Sequence, residues 1–254
     1  MHLKARLAEI SDLLRQKDYL SVERIAEQYK VTTQTARRYV NELCENNLAK
    51  RKYGGIESLY NLNNLNYVSR QALNLEAKRL IAKKTVSKIP NGSSISLGIG
   101  TSPEMVAREL LEHKDLQIYT NNIVIAQITS LNSSFKVYCS GGRIRTGNFD
   151  ILGDHVVNFF NSYKTDFGIY SVGGVDTDGS LLDFTDEEVQ IKKAIINNCR
   201  ERLLIVDYEK FGRTAHVRGG NIKEVDKVFC DKYPPSNVSQ IIIDSNIELI
   251  VCDK

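Results

Sequence analysis

The sequence lacks the features that mark several large classes of protein. No apolar run approaches the roughly 18 residues needed to span a bilayer, and Met1 to Lys4 do not lead from a basic segment into an apolar core as a signal peptide does. No homopolymer tract or collagen-like repeat is present, and the hydrophobic share of 42% and charged share of 26% are typical of soluble globular proteins. We therefore expect a cytoplasmic protein with no membrane partner.

Residues that form disulfides or bind metals are few and scattered. The five cysteines and four histidines include no Cys-x-x-Cys pair and no histidine at metal-ligand spacing from a cysteine. This pattern predicts reduced, mostly buried thiols. We expect no metal and no other cofactor.

Length and charge distribution indicate two domains. A chain of 254 residues is near the size at which single hydrophobic cores divide. Residues 1–56 contain eleven Lys and Arg against seven Asp and Glu, a net charge of +4, whereas residues 57–254 contain 23 against 24, a net charge of −1. The basic excess in the first segment favours a polyanionic partner there.

Apolar spacing predicts three short helices in the basic segment. Apolar residues recur every three or four positions between residues 3 and 14, which draws one apolar face along a first helix. Ser21 is the predicted cap of a second helix, and Thr32 is the predicted cap of a third, over residues 32–46. Two short helices separated by so few residues are typical of a helix-turn-helix.

The outer face of the third helix carries residue types that read DNA. Gln forms two hydrogen bonds with adenine, Arg forms two with guanine, and Thr and Lys hold phosphates. Paired arginines alone are more often a solvated face, but here a basic strand and a Gly54-Gly55 turn follow, as in a wing that contacts phosphates. The predicted DNA-binding residues are Thr33, Gln34, Thr35, Arg37, Arg38 and Asn41 on the helix and Lys50, Arg51 and Lys52 on the wing.

The rest of the chain has the pattern of a linker and an α/β domain. Residues 58–75 are rich in Asn and Ser with weak periodicity, so we interpret them as a linker between a winged helix-turn-helix at 1–57 and a larger domain at 76–254. Short apolar strands alternate with helices in the larger domain, which indicates a mostly parallel sheet covered on both faces. The predicted strands lie near residues 94–97, 117–119, 136–139, 167–170, 203–206 and 227–230.

Three glycine-containing loops follow strands of the predicted sheet, where ligands of α/β proteins bind. They are Gly98-Ile99-Gly100-Thr101-Ser102-Pro103, Ser140-Gly141-Gly142-Arg143 and Ser171-Val172-Gly173-Gly174-Val175-Asp176. Each alone is more often an ordinary turn. Three at strand ends favour an anion site, although the first loop is neither a Walker loop nor a complete dinucleotide fingerprint.

Residues 31–43, VTTQTARRYVNEL, and residues 50–56, KRKYGGI, resemble the DNA-binding signature of the DeoR family of bacterial sugar-metabolism repressors. Four positions depart from the usual family pattern, with Thr32 for Ser, Ala36 for Ile, Tyr39 for Asp and Tyr53 for His. These exchanges retain the capping and packing roles. The resemblance continues in residues 101–102, 120–122, 141–143, 183–193 and 206–212, and so covers essentially the whole chain.

The resemblance implies a fold shared with ribose-5-phosphate isomerase and glucosamine-6-phosphate deaminase, and a sugar-phosphate effector whose binding releases operator DNA. Residues 89–93, 100–104 and 120–122 are most similar to the branch that regulates glycerol 3-phosphate genes, which makes glycerol 3-phosphate the first candidate effector. Gly98 stands where most relatives carry Asp. Paired recognition helices in successive major grooves would require a dimer or a tetramer.

The predicted effector site combines hydroxyls, amides and countercharges for a phosphate dianion. Its residues are Gly100, Thr101, Ser102, Asn121, Gly141, Gly142, Arg143, Asp176, Glu188, Lys192 and Lys210. One alternative is a repressor that answers another sugar phosphate. A second is an isomerase-like enzyme, in which Asp176, Asp183, Glu187 or Glu188 moves protons and Lys192 or Lys210 polarises a carbonyl. We predict a regulator without catalytic residues, because a fused DNA reader makes sensing the simpler account.

Overall fold

The computed structural model describes residues 3–17, 19–46, 48–58 and 67–252. Its contacts divide the chain into two units, Met1–Leu73 and Asn74–Lys254. The predicted fold class is confirmed, because a winged helix-turn-helix precedes an α/β unit with a parallel sheet. No helix in these ranges is both long and apolar enough to cross a membrane.

The first unit packs helices against a small antiparallel sheet whose strand order is β1-β3-β2. Its elements are α1 (Leu3–Lys17), β1 (Tyr19–Ser21), α2 (Val22–Tyr29), α3 (Thr33–Glu45), β2 (Ala49–Lys52), β3 (Gly55–Ser58) and α4 (Tyr67–Ala72). Helix α4 lies inside the segment predicted as a linker, and residues 59–66 of that segment lie outside the described residues. The linker boundaries therefore stay a prediction.

Side-chain caps begin α2 and α3 at the residues that the sequence predicts. The Ser21 hydroxyl accepts a hydrogen bond of 3.1 Å from the Arg24 amide, which caps α2, and Lys30 ends that helix in the left-handed region at φ 51°. The Thr32 hydroxyl caps α3 by accepting from the Thr35 amide at 3.2 Å. Both predicted caps are confirmed, and they set the direction in which α3 leaves the turn.

The second unit is built around a parallel sheet of seven strands. Its helices are α5 (Leu75–Val86), α6 (Thr101–Glu109), α7 (Ile123–Thr129), α8 (Asp154–Asn161), α9 (Asp186–Asn197) and α10 (Ser236–Asp244). Its strands are β4 (Ser94–Leu97), β5 (Gln117–Thr120), β6 (Lys136–Cys139), β7 (Ile144–Arg145), β8 (Asp150–Ile151), β9 (Thr165–Tyr170), β10 (Gly174–Val175), β11 (Ser180–Asp183), β12 (Cys199–Ile205), β13 (Val217–Asn221), β14 (Lys227–Cys230) and β15 (Glu248–Val251).

The strand order of the large sheet is β15-β14-β12-β9-β4-β5-β6, and all its pairs are parallel. From β4 the chain moves outward through β5 to β6, then returns to β9 on the other side of β4 and continues through β12 to β15. The direction of winding therefore reverses between β4 and β9. The crevice at the carboxyl ends of two such strands is where doubly wound sheets bind ligands.

Helices cover both faces of the sheet, and strand alternation assigns each side chain to a face. Leu203 and Ile205 pack with residues of α5, α6 and α7, whereas Leu204 between them packs on the opposite face with residues of α10. All three are fully buried. The central strands are mostly apolar at their buried ends because both faces are covered. The sequence predicts six of the seven strands and misses β15.

Two small sheets lie beside the main one, and the sequence predicts neither. Strands β10, β11 and β13 form an antiparallel sheet, and β7 pairs with β8. Several of these strands have only two residues, too few to show an alternating pattern.

Candidate functional site

Helix α3 buries one face and presents the other. Ala36, Val40 and Leu43 are fully buried in the core of the first unit. The predicted DNA readers on the opposite face are exposed, namely Thr33, Gln34, Arg37, Arg38 and Asn41. Thr35 differs from them, since it is partly buried and its hydroxyl lies 3.0 Å from that of Thr32. Thr35 therefore takes part in the helix cap.

Strands β2 and β3 form the predicted wing as an antiparallel hairpin with Tyr53 and Gly54 in its turn. Gly54 has φ +75°, a conformation that favours glycine. Gly55 is needed for a different reason, because a Cβ there would lie 2.1 Å from the Leu20 carbonyl oxygen on β1. The two glycines therefore turn the hairpin and let it pack against β1.

The three cations of the wing all have partners within the first unit. Lys52 Nζ lies 2.8 Å from Glu57 Oε2, Lys50 Nζ lies 3.6 Å from Glu57 Oε1, and Arg51 donates a hydrogen bond to Asn41 Oδ1. The hydrogen bond with Lys52 lowers the pKa of Glu57 and raises that of Lys52. The sequence prediction missed Glu57, although hairpin register places Lys50 opposite it.

A groove forms where α2, α3 and the wing meet. It is lined by Val22, Glu23, Arg37, Asn41, Arg51, Lys52, Gly54 and Gly55. Four of the predicted DNA-binding residues thus face one concave surface. Its cationic and amide groups can hold a phosphate or a base edge.

In the second unit, the predicted glycine loop connects β4 to α6. The Gly98 amide donates to the Ile169 carbonyl of β9 at 2.9 Å, which ties the loop to the neighbouring strand end. Gly100 precedes α6 with φ +115°, which other residues rarely adopt, and Ser102 is buried in the first helical turn. The helix N-terminus thus starts at the strand end, where its amides favour an anion.

Buried polar atoms without partners lie at three strand ends. Asn121, after β5, donates from Nδ2 to the Ile151 carbonyl at 2.7 Å, but its Oδ1 accepts no hydrogen bond from any described residue. The hydroxyls of Ser140 after β6 and Ser171 after β9 are also buried and unpartnered within the described ranges. Such groups usually bind water or a ligand. The two serines lie in the predicted loops but outside the predicted residue set.

Cations gather at the ends of β9 and β12. Lys210 Nζ donates to the Val172 carbonyl oxygen at 2.6 Å, and burial of this amino group lowers its pKa to about 7. Charged neighbours act on it as well: Asp207 raises the pKa, whereas Arg213, Lys78 and Lys192 lower it. Several cations close to one loop favour a bound anion. The sequence prediction included Lys192 and Lys210 but missed Lys78, which is buried and lies on α5.

A chain of buried ion pairs connects α9 to its neighbours. Lys192 pairs with Asp183, whose Oδ1 accepts from the Gly173 amide at 2.9 Å. Arg145 Nη2 lies 2.8 Å from Glu188 and 2.7 Å from Asp150. Burial raises the pKa of Asp183; it also acts to raise that of Glu188, but Lys192 and Arg145 outweigh it there and lower the pKa.

Several of the predicted effector residues are exposed or have other partners. Arg143 is exposed, and Arg145 is the arginine that pairs with Glu188. Asp176 lies in the turn between β10 and β11, where its Oδ1 accepts from the Thr177 amide at 2.7 Å. Gly141 is open, whereas a Cβ on Gly142 would lie 2.3 Å from His155 Nε2. Gly142 therefore has a packing role.

The carboxylates that an isomerase-like enzyme would use to move protons either form ion pairs or hydrogen bonds within the protein or are exposed. Asp183 and Glu188 are held by Lys192 and Arg145, and Glu187 is exposed on α9. Across the ranges that the structure describes, no three His, Cys, Asp or Glu side chains come together as metal ligands.

Comparison with known proteins gives two family matches and full-length relatives. Residues 6–61 match the DeoR-like helix-turn-helix domain, and residues 73–232 match the DeoR C terminal sensor domain. The chain is 41% identical over 243 residues to the glycerol-3-phosphate regulon repressor of Escherichia coli (strain K12), covering 96% of each. It is 38% identical over 253 residues to the repressor of the same name from Haemophilus influenzae, covering 100% of this chain and 98% of that one.

Among solved structures, ribose 5-phosphate isomerase A of Methanocaldococcus jannaschii aligns with 54% of this chain and 55% of its own, at 17% identity and a TM-score of 0.39. A likeness of this size does not transfer a reaction.

Proposed function

This chain belongs to the DeoR family, and from that premise we propose that it represses genes of glycerol or glycerol-3-phosphate metabolism by binding operator DNA, and that a phosphorylated metabolite releases it. The observation that carries the proposal is the exposed face of α3, with Gln34 and Arg37 outward, beside a cationic wing. A helix and hairpin of this kind fit a major groove and its flanking phosphates. A regulator acting on bacterial operators would work in the cytoplasm.

Glycerol 3-phosphate is the effector we propose first. The two relatives compared above are named for its regulon. The cations around Lys210 suit the phosphate dianion, and Asn121 Oδ1 with the hydroxyls of Ser140 and Ser171 could meet the ligand's hydroxyl groups. Another sugar phosphate would use the same phosphate contacts, so the hydroxyl pattern must distinguish the two.

Release requires that the effector bind one state of the protein more tightly than the other, because equal affinity shifts no equilibrium. We propose that the DNA-bound form is a dimer or tetramer with α3 of two copies in successive major grooves. Effector binding would favour an arrangement in which these helices no longer match the groove spacing.

A gel-shift experiment on DNA from the gene's own neighbourhood, with and without glycerol 3-phosphate, tests the proposal. We expect a shifted band that the effector abolishes. Thermal unfolding against a panel of phosphates identifies the ligand, since a ligand that binds the folded state stabilises it by RT ln(1 + [L]/Kd). A shift with another phosphate but none with glycerol 3-phosphate would contradict the effector assignment alone.

The regulator is proposed to have no catalytic activity. The relatives are named as repressors, and Asp183 and Glu188 are held in ion pairs. Incubation with ribose 5-phosphate or glucosamine 6-phosphate tests this point. Steady turnover that Glu188→Gln abolishes would establish an enzyme instead.

A further inference from the structure

We propose that Glu57 is a built-in competitor of DNA phosphate on the wing, and that its charge limits the affinity of the protein for duplex DNA. The inference rests on the proposed DNA-binding function. It assigns a role to a carboxylate that lies among the cations of the interface, on the strand opposite them.

The pairing geometry singles out Glu57. One carboxylate serves two lysines, with Oε1 toward Lys50 and Oε2 toward Lys52, at 3.6 Å and 2.8 Å. The lysine side chains are 58% exposed, whereas that of Glu57 is 18% exposed. The cations thus remain accessible to a polyanion while the carboxylate stays beneath them.

Strand register fixes this arrangement. Lys50 lies directly opposite Glu57 in the β2–β3 ladder, and Lys52 lies opposite Gly55. Gly54 in the turn prevents slippage by supplying the positive φ that the short connection needs. The backbone of Glu57 therefore stays opposite Lys50 as long as the hairpin is paired.

The third wing cation has a neutral partner. Arg51 donates to the side-chain oxygen of Asn41 on α3. A phosphate approaching Arg51 meets an amide, which does not repel it, whereas a phosphate approaching Lys50 or Lys52 meets the charge of Glu57. Glu57 is thus the carboxylate partner of the wing among the described residues.

A phosphate that binds the wing competes with Glu57 for the same two lysines. Part of the attraction is offset by repulsion between Glu57 and the phosphate and by the loss of two ion pairs. Removing the charge of Glu57 leaves both lysines in place and removes the competitor. The resulting gain in affinity should appear for duplex DNA of any sequence, because phosphate contacts carry no sequence information.

The test is the affinity of Glu57→Gln for an operator duplex and for a scrambled duplex of the same length, over a series of salt concentrations. We expect about two- to tenfold tighter binding to both at low salt, the range that one or two exposed charge pairs provide. The plot of log affinity against log salt concentration should become steeper, by up to about the amount that one additional phosphate contact contributes. Glu27→Gln on α2 is the matched control, since Glu27 is exposed and the change in net charge is identical.

A double-mutant cycle locates the effect. In a Lys50→Ala/Lys52→Ala background, the gain in affinity from Glu57→Gln should become smaller, because the two ion pairs are gone and only direct repulsion of the phosphate remains. An equal gain from Glu27→Gln, an undiminished gain without the lysines, or no gain in the otherwise wild-type protein overturns the proposal.

Thermal unfolding accompanies each measurement. Glu57→Thr is a second variant without the charge whose residue type suits a strand. If neither variant unfolds cooperatively, Glu57 is a residue of the fold and the proposal is wrong. If the wild-type protein binds no duplex, the proposed function itself fails, whereas wild-type binding with no gain in the variants overturns only the role of Glu57.

Discussion

The amino group of Lys210 donates a hydrogen bond of 2.6 Å to the carbonyl oxygen of Val172, which joins the segment after β12 to the end of β9. Asp207, also after β12, is buried and accepts a hydrogen bond of 2.9 Å from Asn74 Nδ2. The lysine is therefore held at the strand ends by the fold, among further cations. A phosphate dianion would compensate this charge.

The pH dependence of effector binding follows from this environment. Burial lowers the pKa of Lys210 to about 7, so the free protein loses this proton as pH rises through neutrality. A bound dianion favours the ammonium form and raises the pKa. At a pH between the Lys210 pKa of the free protein and that of the bound protein, effector binding takes up a proton. Affinity for the effector therefore falls by up to about tenfold per pH unit as pH rises through this range. The phosphate, with a second pKa of about 6, stays a dianion throughout.

Calorimetric titration with glycerol 3-phosphate at pH 8, in buffers of different ionisation enthalpy, measures the uptake. We expect roughly one proton for the wild-type protein. Lys210→Met should bind more weakly and take up none. Identical enthalpies in all buffers for the wild-type protein would contradict the prediction.

Arg143 and Arg145 form a matched pair two residues apart. Arg145→Ala leaves the buried carboxylate of Asp150 without its ion-pair partner and removes one of the cations beside Glu188, so we expect a loss of about 3–5 kcal/mol in the free energy of unfolding. Arg143→Ala should change stability by less than about 0.5 kcal/mol, because the residue is exposed. Chemical denaturation of both variants checks this, and equal stabilities would contradict it. Effector affinity of Arg143→Ala separately tests its predicted phosphate contact.

The same two arginines show where sequence reasoning stops. Arg143 follows a Gly-Gly pair, a local signal of an anion loop, whereas Arg145 pairs with Asp150 and also with Glu188, which lies 43 residues further along the chain on α9. Pairing over that distance depends on the fold of β7 and β8, which are too short to show a pattern. The prediction missed Lys78 for the same reason, because nothing in the neighbouring sequence distinguishes it from the other polar residues of α5.

Local features were predicted well. The strands over residues 136–139 and 227–230 have the predicted bounds, because each is a short apolar run between turn residues. The caps Ser21 and Thr32 follow from side-chain chemistry within four residues. Strand β1 was missed, since it has only three residues and gains its partner from β3, more than 30 residues away.

The two glycines of the wing should respond differently to alanine. A Cβ on Gly55 would meet Leu20 backbone atoms at 2.1 Å and 2.9 Å, so Gly55→Ala must separate β1 from β3, at a cost of at least about 1–3 kcal/mol. Gly54→Ala has room but requires a positive φ, which costs about 1 kcal/mol. Thermal unfolding of the two variants compares them. A larger loss for Gly54→Ala would show that the turn, and not strand packing, limits the wing.

Arg37 and Lys50 should separate base reading from phosphate binding. Arg37 is exposed on α3 and lines the groove with Asn41, so Arg37→Ala should weaken operator binding by about 1–3 kcal/mol and affect a scrambled duplex much less. Lys50→Ala should weaken both duplexes alike and flatten the salt slope by about one unit, because a wing lysine contacts phosphate. Equilibrium titrations at several salt concentrations distinguish the two residues, and an equal loss on both duplexes for Arg37→Ala would assign that arginine to the phosphate backbone.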